Sequence, residues 1–355
     1  MLKQAMTLGR HIGWATLAAA AWAAAPSAHA CATCGCTLST DAAMGYSAAA
    51  GWRLSLQYDY LNQDQLRSGT HAASPAQVVN SPTTGELEHA TASRFLTLGL
   101  SYSPNADWGV NLQIPYLIRT HSSYTDTTSA PFASAQLDPA NLSGSRSAGL
   151  GDIKLIGSYQ GLLPTHNLGV QLGVKLPTGR YGGPDAAGTG TVGNHPVVFS
   201  SGPSAGQLLD TSLQPGTGST DLIVGAYYYQ AVSQDFDAFA SGQFQAAVAY
   251  KLDRAGENFR PGNLATLSFG LRYEASPKIV PQLQVNLTRK SHDQGALADS
   301  QDSAGTVAYL SPGVTVSLRS DLQVYGFVQL PVYSRLDGYQ LFPHWTASAG
   351  ASYAF

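Results

Sequence analysis

Trp345-Thr-Ala-Ser-Ala-Gly-Ala-Ser-Tyr-Ala-Phe355 closes the chain, and its pattern decides how the rest is read. Trp345, Ala347, Ala349, Ala351, Tyr353 and Phe355 are all apolar, while Thr346, Ser348, Gly350, Ser352 and Ala354 between them are small or polar. A period of two is that of a β-strand, whose successive side chains point to opposite faces. One face therefore meets an apolar medium and the other a polar one, with aromatic residues at both ends of the apolar face. A strand that crosses an outer membrane as part of a closed barrel has this form. Alone, the segment also fits a soluble β-sandwich, so the decision rests on the other strands.

Those strands repeat the scheme. Trp52, Leu54, Leu56, Tyr58 and Tyr60 alternate with Arg53, Ser55, Gln57 and Asp59. No water-soluble core tolerates Arg53 and Asp59 inside it, so their face sees water or a polar partner. Leu96, Leu98, Leu100 and Tyr102 form a second apolar face, and Val110, Leu112, Ile114, Tyr116 and Ile118 a third, opposite Asn111 and Gln113. Further strands set Ile153 and Leu155 against Asp152 and Lys154, and Leu168–Leu176 against Gln171 and Lys175. Leu267, Phe269 and Leu271 oppose Arg272, and Leu283, Val285 and Leu287 oppose Gln284 and Lys290. With weaker segments at 221–230, 236–250, 306–318 and 322–330, about twelve strands are expected.

The connections alternate in length. Long ones fall near 62–91, 119–148, 177–219, 251–262, 291–304 and 333–343, and short ones near 103–107, 160–166, 231–235, 274–278 and 319–320. Bacterial outer-membrane barrels have an even strand number, long extracellular loops and short periplasmic turns. The fold expected is all-β: a transmembrane antiparallel up-and-down barrel over residues 52–355, both termini periplasmic. Tyr353 and Phe355 resemble the C-terminal signal that the barrel-assembly machinery recognises.

The N-terminus fits that address. Lys3 and Arg10, an apolar run from Ile12 to Ala25, and Ala28-His29-Ala30 have the order of a secretory signal, expected to be removed as residues 1–30. Its loss takes two basic residues and no acid, moving the net charge from −3 to −5, which argues against a nucleic-acid partner. Charged residues make up 12% of the chain, about half the ~25% of a soluble domain.

Several motifs resemble a known group. Gly149-Leu-Gly-Asp152-Ile-Lys, Lys175-Leu-Pro-Thr-Gly179, Leu213-Gln-Pro-Gly-Thr-Gly-Ser-Thr-Asp221, Arg260-Pro-Gly262, Leu310-Ser-Pro-Gly313 and Gln329-Leu-Pro-Val-Tyr-Ser-Arg-Leu-Asp-Gly-Tyr-Gln-Leu341 occur in this order. Over residues 148–355 the chain resembles the outer-membrane "transporter" family named for a putative MetA pathway of phenol degradation. The resemblance implies a β-barrel and passage of aromatic or other apolar compounds, and it carries no established site residue.

By strand parity, Arg53, Gln57, Asp59, Asn111, Gln113, Asp152, Lys154, Gln171, Lys175, Arg272, Gln284 and Lys290 are the expected lumen set. Five are basic and two acidic, which predicts a weak preference for anionic or polar-aromatic solutes. Alternatively they pair with one another and fill the lumen. All three cysteines, Cys31, Cys34 and Cys36, lie at the expected mature N-terminus. Thiolates at this spacing can close around Cu(I) or Zn(II). The same residues fit one disulfide with a spare thiol, exchange with a periplasmic thiol or metal carrier, or lipidation at Cys31 behind a poor recognition sequence. Within the 31–51 segment, Thr37–Gly51 is small and flexible enough to enter the lumen as a plug.

The glycine runs lack the Lys-Ser/Thr of a phosphate loop. Gly202-Pro-Ser204-Ala-Gly206 has Gly-x-Ser-x-Gly spacing but lies inside the long 177–219 connection, not between a strand and a helix as a nucleophile elbow must, so enzymatic chemistry is not expected. Two readings stand. One is a passive channel for small organic solutes in outer-membrane lipid; the other is a barrel that anchors a metal-binding or redox head. An adhesin acting through the 177–219 loop is a third.

Overall fold

The computed structural model describes residues 50–79, 86–125 and 137–355. The expected signal and the cysteines lie outside these residues, as does nearly all of the proposed plug. The chain runs through β1 (Gly51–Gly69), β2 (Glu86–Ser103), β3 (Trp108–Thr125), β4 (Leu142–Leu150), β5 (Ile153–Tyr159) and β6 (Leu168–Leu176). It continues through β7 (Ser219–Ala231), β8 (Phe236–Tyr250), β9 (Leu264–Tyr273), β10 (Ile279–Lys290), β11 (Gly305–Ser317) and β12 (Leu322–Ala354). Each pairs antiparallel with the next, except that β4 and β5 sit end to end on β3. β12 returns to β1 and closes the sheet.

The closed path has eleven elements, β4 lying off it beside β3 and a two-residue strand, His71–Ala72, beside β1. Antiparallel neighbours in a ring must alternate in direction, so the number of crossings is even. The 33-residue β12 resolves the count. Its first arm pairs with β11 through Gln323 to Leu336, and its second with β1 chiefly through Gln340 to Ala354. The chain reverses at Asp337-Gly338, where Gly338 has φ of 60°, and at the far end the Ala354 N–H donates to the Asp321 carbonyl at 2.8 Å. Among the described residues there are thus twelve crossings. Residues 333–343, expected as a long loop, are instead strand and tight reversal: Asp-Gly supplies the turn without a loop. The strands also overrun other expected loops, β1 reaching Gly69 and β2 starting at Glu86.

Polarity is inverted relative to a soluble sheet. Leu172 is 62% exposed and Phe269 53%, on an outer face that also bares Leu54, Leu98, Leu155, Val224, Leu283 and Val328. Gln63 and Gln284, pointing inward, are fully buried. An apolar band of this extent requires an apolar surrounding medium. Paired aromatics fringe the band beside the short turns: Trp52 with Tyr102 (4.5 Å between ring centroids), Trp108 with Tyr159 (4.6 Å) and Phe236 with Tyr273 (5.0 Å). The apolar cores lie mainly at the long-loop end. Val197, Phe199, Leu209 and Leu213 cluster within the 177–218 connection, and Val307, Tyr309, Leu336 and Phe342 beneath the β12 reversal.

Candidate functional site

Three of the sequence motifs meet at one point on the inner wall. Asp152 precedes β5, Lys175 ends β6, and Thr217, Ser219 and Asp221 lead into β7. The Lys175 Nζ lies 3.2 Å from Asp152 Oδ2 and 3.0 Å from Asp221 Oδ2, and donates to Ser219 Oγ and Thr217 Oγ1. Asp152 accepts the backbone N–H groups of Gly179 and Thr217, each at 3.0 Å, and Gln245 donates to Asp221 at 2.6 Å. Asp152, Lys175 and Asp221 are all buried. Lys154 shares their field. Buried charges persist only when paired and hydrogen-bonded, and these are. The cluster pins both ends of the 177–218 connection to the wall.

That connection bends into the lumen. Arg119, inward on β3, donates to Ser93 Oγ at 3.0 Å and to the Leu213 carbonyl at 2.5 Å. Inward His121 lies 6.1 Å from the Phe199 ring, centroid to centroid, and contacts Thr91 Oγ1 at 2.8 Å. The Ser204 N–H donates to Ser143 Oγ at 3.0 Å.

Below it, polar side chains form a belt. Gln57 donates to Asp59 at 2.9 Å, Ser348 to Asp59 at 2.5 Å, and the Tyr325 hydroxyl to Gln57 Oε1 at 2.8 Å. Gln284 donates to Gln282 (3.3 Å), which donates to Thr315 (2.8 Å), and Asn286 donates to Ser311 (2.9 Å). Aromatic rings lie flat among them, each over a glycine of a neighbouring strand: Tyr227 over Gly169, Phe239 over Gly270, Phe327 over Gly313 and Tyr325 over Gly350. A glycine opposite lets a ring rest on the backbone instead of projecting across the barrel.

The twelve residues expected in the lumen all have inward parity. Gln57, Asp59, Asp152, Lys175, Gln284 and Lys290 are buried among the described residues, whereas Arg53, Asn111, Gln113, Lys154, Gln171 and Arg272 are partly exposed. Arg53, Asn111 and Gln171 share a cavity of about 100 Å³ at the short-turn mouth with Ser101, Ser158 and Tyr227.

The expected excess of positive charge is corrected. Lys290 contacts Asp293 at 2.7 Å, Arg272 contacts Glu274 at 3.0 Å, and Lys175 engages Asp221 as well as Asp152. Asp221, Glu274 and Asp293 escaped the sequence reading because each flanks a strand end, where parity is least defined. Asp221 was accessible from the outward run Leu222, Val224 and Ala226.

At the long-loop end, the 291–304 connection clasps the β12 reversal. The Tyr339 N–H donates to Asp302 Oδ1 at 2.9 Å, and His292 Nε2 lies 3.0 Å from Asp337 Oδ2. Burial, reinforced by Asp299 nearby, holds the Asp302 carboxyl up at about 6. A raised carboxyl keeps its proton in the folded state after the unfolded chain has released it. Stability therefore falls as pH rises from about 4 through about 6 and then levels. Asp302→Asn should remove this step: urea unfolding between pH 4 and 8 should find the variant more stable than wild type above pH 6, with the gap closing toward pH 4.

Among the described residues, no group of three or more His, Cys, Asp or Glu side chains is placed to hold a metal. No family model matches the chain, and no curated protein matches it. Among solved structures, an outer-membrane channel from Pseudomonas putida F1 superposes with a TM-score of 0.55 at 12% identity, covering 86% of this chain and 96% of that one. The β domain of the Bordetella autotransporter BrkA gives 0.45 at 12% identity, covering 86% and 100%. The Ralstonia pickettii toluene transporter TbuX gives 0.41 at 10%, covering 93% and 96%. The first likeness establishes the fold as that of an outer-membrane barrel.

Proposed function

We propose that this barrel is a passive outer-membrane channel for small, uncharged organic solutes, aromatic compounds among them, with its long loops outside the cell and its termini in the periplasm. The observation that carries the reading is the inner wall: the inward cations Lys175, Arg272 and Lys290 each have an acid within hydrogen-bonding distance, and aromatic rings rest against glycine between them. Local compensation leaves little net field to select ions, so width and apolar contact select the solute. The sequence resemblance points to the same solute class, and the fold shared with a known channel supports transport. Residues 31–49 lead to Ala50 and Gly51, which line the mouth cavity. That the 31–51 segment acts as a plug is part of the proposal.

The test is solute flux into vesicles containing the refolded mature chain, with and without residues 31–49. Phenol-sized neutral solutes should enter faster than anions of equal size. Flux only after truncation would make the segment a plug, and flux in neither form would sink the channel reading.

A further inference from the structure

We propose that arginines on the outer face, at the long-loop edge of the apolar band, form a binding site for the phosphate groups of outer-leaflet glycolipid, centred on Arg289 and Arg335. This rests on the membrane orientation given above. On β10 the outward side chains are Ile279, Pro281, Leu283, Val285 and Leu287, and the next is Arg289. On the first arm of β12 they run Val328, Leu330 and Val332, the last 62% exposed, then Tyr333 past a shift in register with β11, and Arg335 follows. Thr306 of β11 stands between, paired with Arg289 on one side and Arg335 on the other.

Neighbouring strands lie about 4.8 Å apart, so the two arginine Cα atoms are separated by about 10 Å. Two side chains of that length can meet on one phosphate, with the Thr306 hydroxyl beneath. Guanidinium matches phosphate oxygens in a bidentate fork, which a lysine ammonium does not.

The pair belongs to a collar. Outward Arg94 follows Leu96, Leu98 and Leu100 along β2 and stacks on the outward Tyr60 ring at 5.8 Å. Exposed Arg146 stands outward on β4 beside Thr120, just beyond Ala148 and Leu150. Each marks the point where its strand's apolar run ends toward the long loops. An arginine one step beyond the acyl region meets the headgroup layer, and the headgroup it fits is anionic and phosphorylated. The opposite edge of the band carries aromatic pairs at these positions.

The experiment compares the refolded mature chain with its Arg289→Gln/Arg335→Gln variant in neutral micelles, by native mass spectrometry, against bis-phosphorylated lipid A, dephosphorylated lipid A and inorganic phosphate. The wild type should hold bis-phosphorylated lipid A about tenfold more tightly than the variant does. Dephosphorylated lipid A should bind both proteins alike and weakly. Equal retention of the phosphorylated lipid by the variant, or equal binding of the dephosphorylated lipid by the wild type, overturns the proposal. Displacement of the lipid by inorganic phosphate would assign the arginines to a free anion and also overturns it. Both arginines lie outside the lumen, so solute flux of the variant should match wild type. If the double variant loses its barrel, Arg335→Gln alone carries the comparison. Flux without lipid preference defeats only this proposal; lipid preference without flux defeats only the channel.

Discussion

Lys175→Met is expected to cost about 3–5 kcal/mol of unfolding free energy, among the largest effects available to a single substitution here. The methionine keeps the length of the side chain and removes its charge. Asp152 and Asp221, each about 3 Å from the ammonium in the native protein, then face each other buried with only Lys154 left in their field. Urea titration of the refolded barrel in vesicles measures the loss. The Asp152→Asn/Lys175→Met/Asp221→Asn variant should recover most of it, because the penalty comes from stranded charge and not from lost attraction. The same cluster anchors the 177–218 connection, so protease cutting there should rise in the single variant. Wild-type stability in Lys175→Met would mean that water reaches the two carboxylates.

Gly313→Val should have the second large effect, and on transport as well as stability. Any Cβ at Gly313 falls within the Phe327 ring. The ring must leave the wall and swing into the lumen, costing about 1–3 kcal/mol of overpacking strain and narrowing the passage. Flux of a neutral aromatic solute should drop severalfold. Adding Phe327→Ala removes the obstructing ring, so the double variant should regain flux and part of the stability. Additive losses in the two single variants and their combination would show that ring and glycine act separately.

The barrel was legible in the sequence because period-two alternation carries the same information the folded wall uses. Trp52 to Tyr60 and Leu283 to Leu287 face outward as their parity requires, and the inward set follows from it. The partners of the inward residues were not legible. Lys175 meets Asp152 and Asp221 from 23 and 46 positions away, and Arg119 meets the Leu213 carbonyl from 94. No local pattern encodes contacts set by strand register around a ring. The β12 reversal was missed for the opposite reason. Its Asp337-Gly338 signal is explicit, but Tyr-Gln-Leu-Phe-Pro after it lacks clean alternation, and Pro343 and His344 break the register with β1.

The pairing of the first strand with the last arm also sets a timetable. Export delivers the N-terminal end first, so β1 waits with an unsatisfied edge while the other strands arrive. A chain cut before the final arm has eleven crossings, an odd number, and its two free edges run in the same direction. Such a remnant has no antiparallel closure available, whatever its other contacts. Completion is thus withheld until residues 340–354 arrive, and the aromatic terminus is delivered together with the strand that finishes the ring.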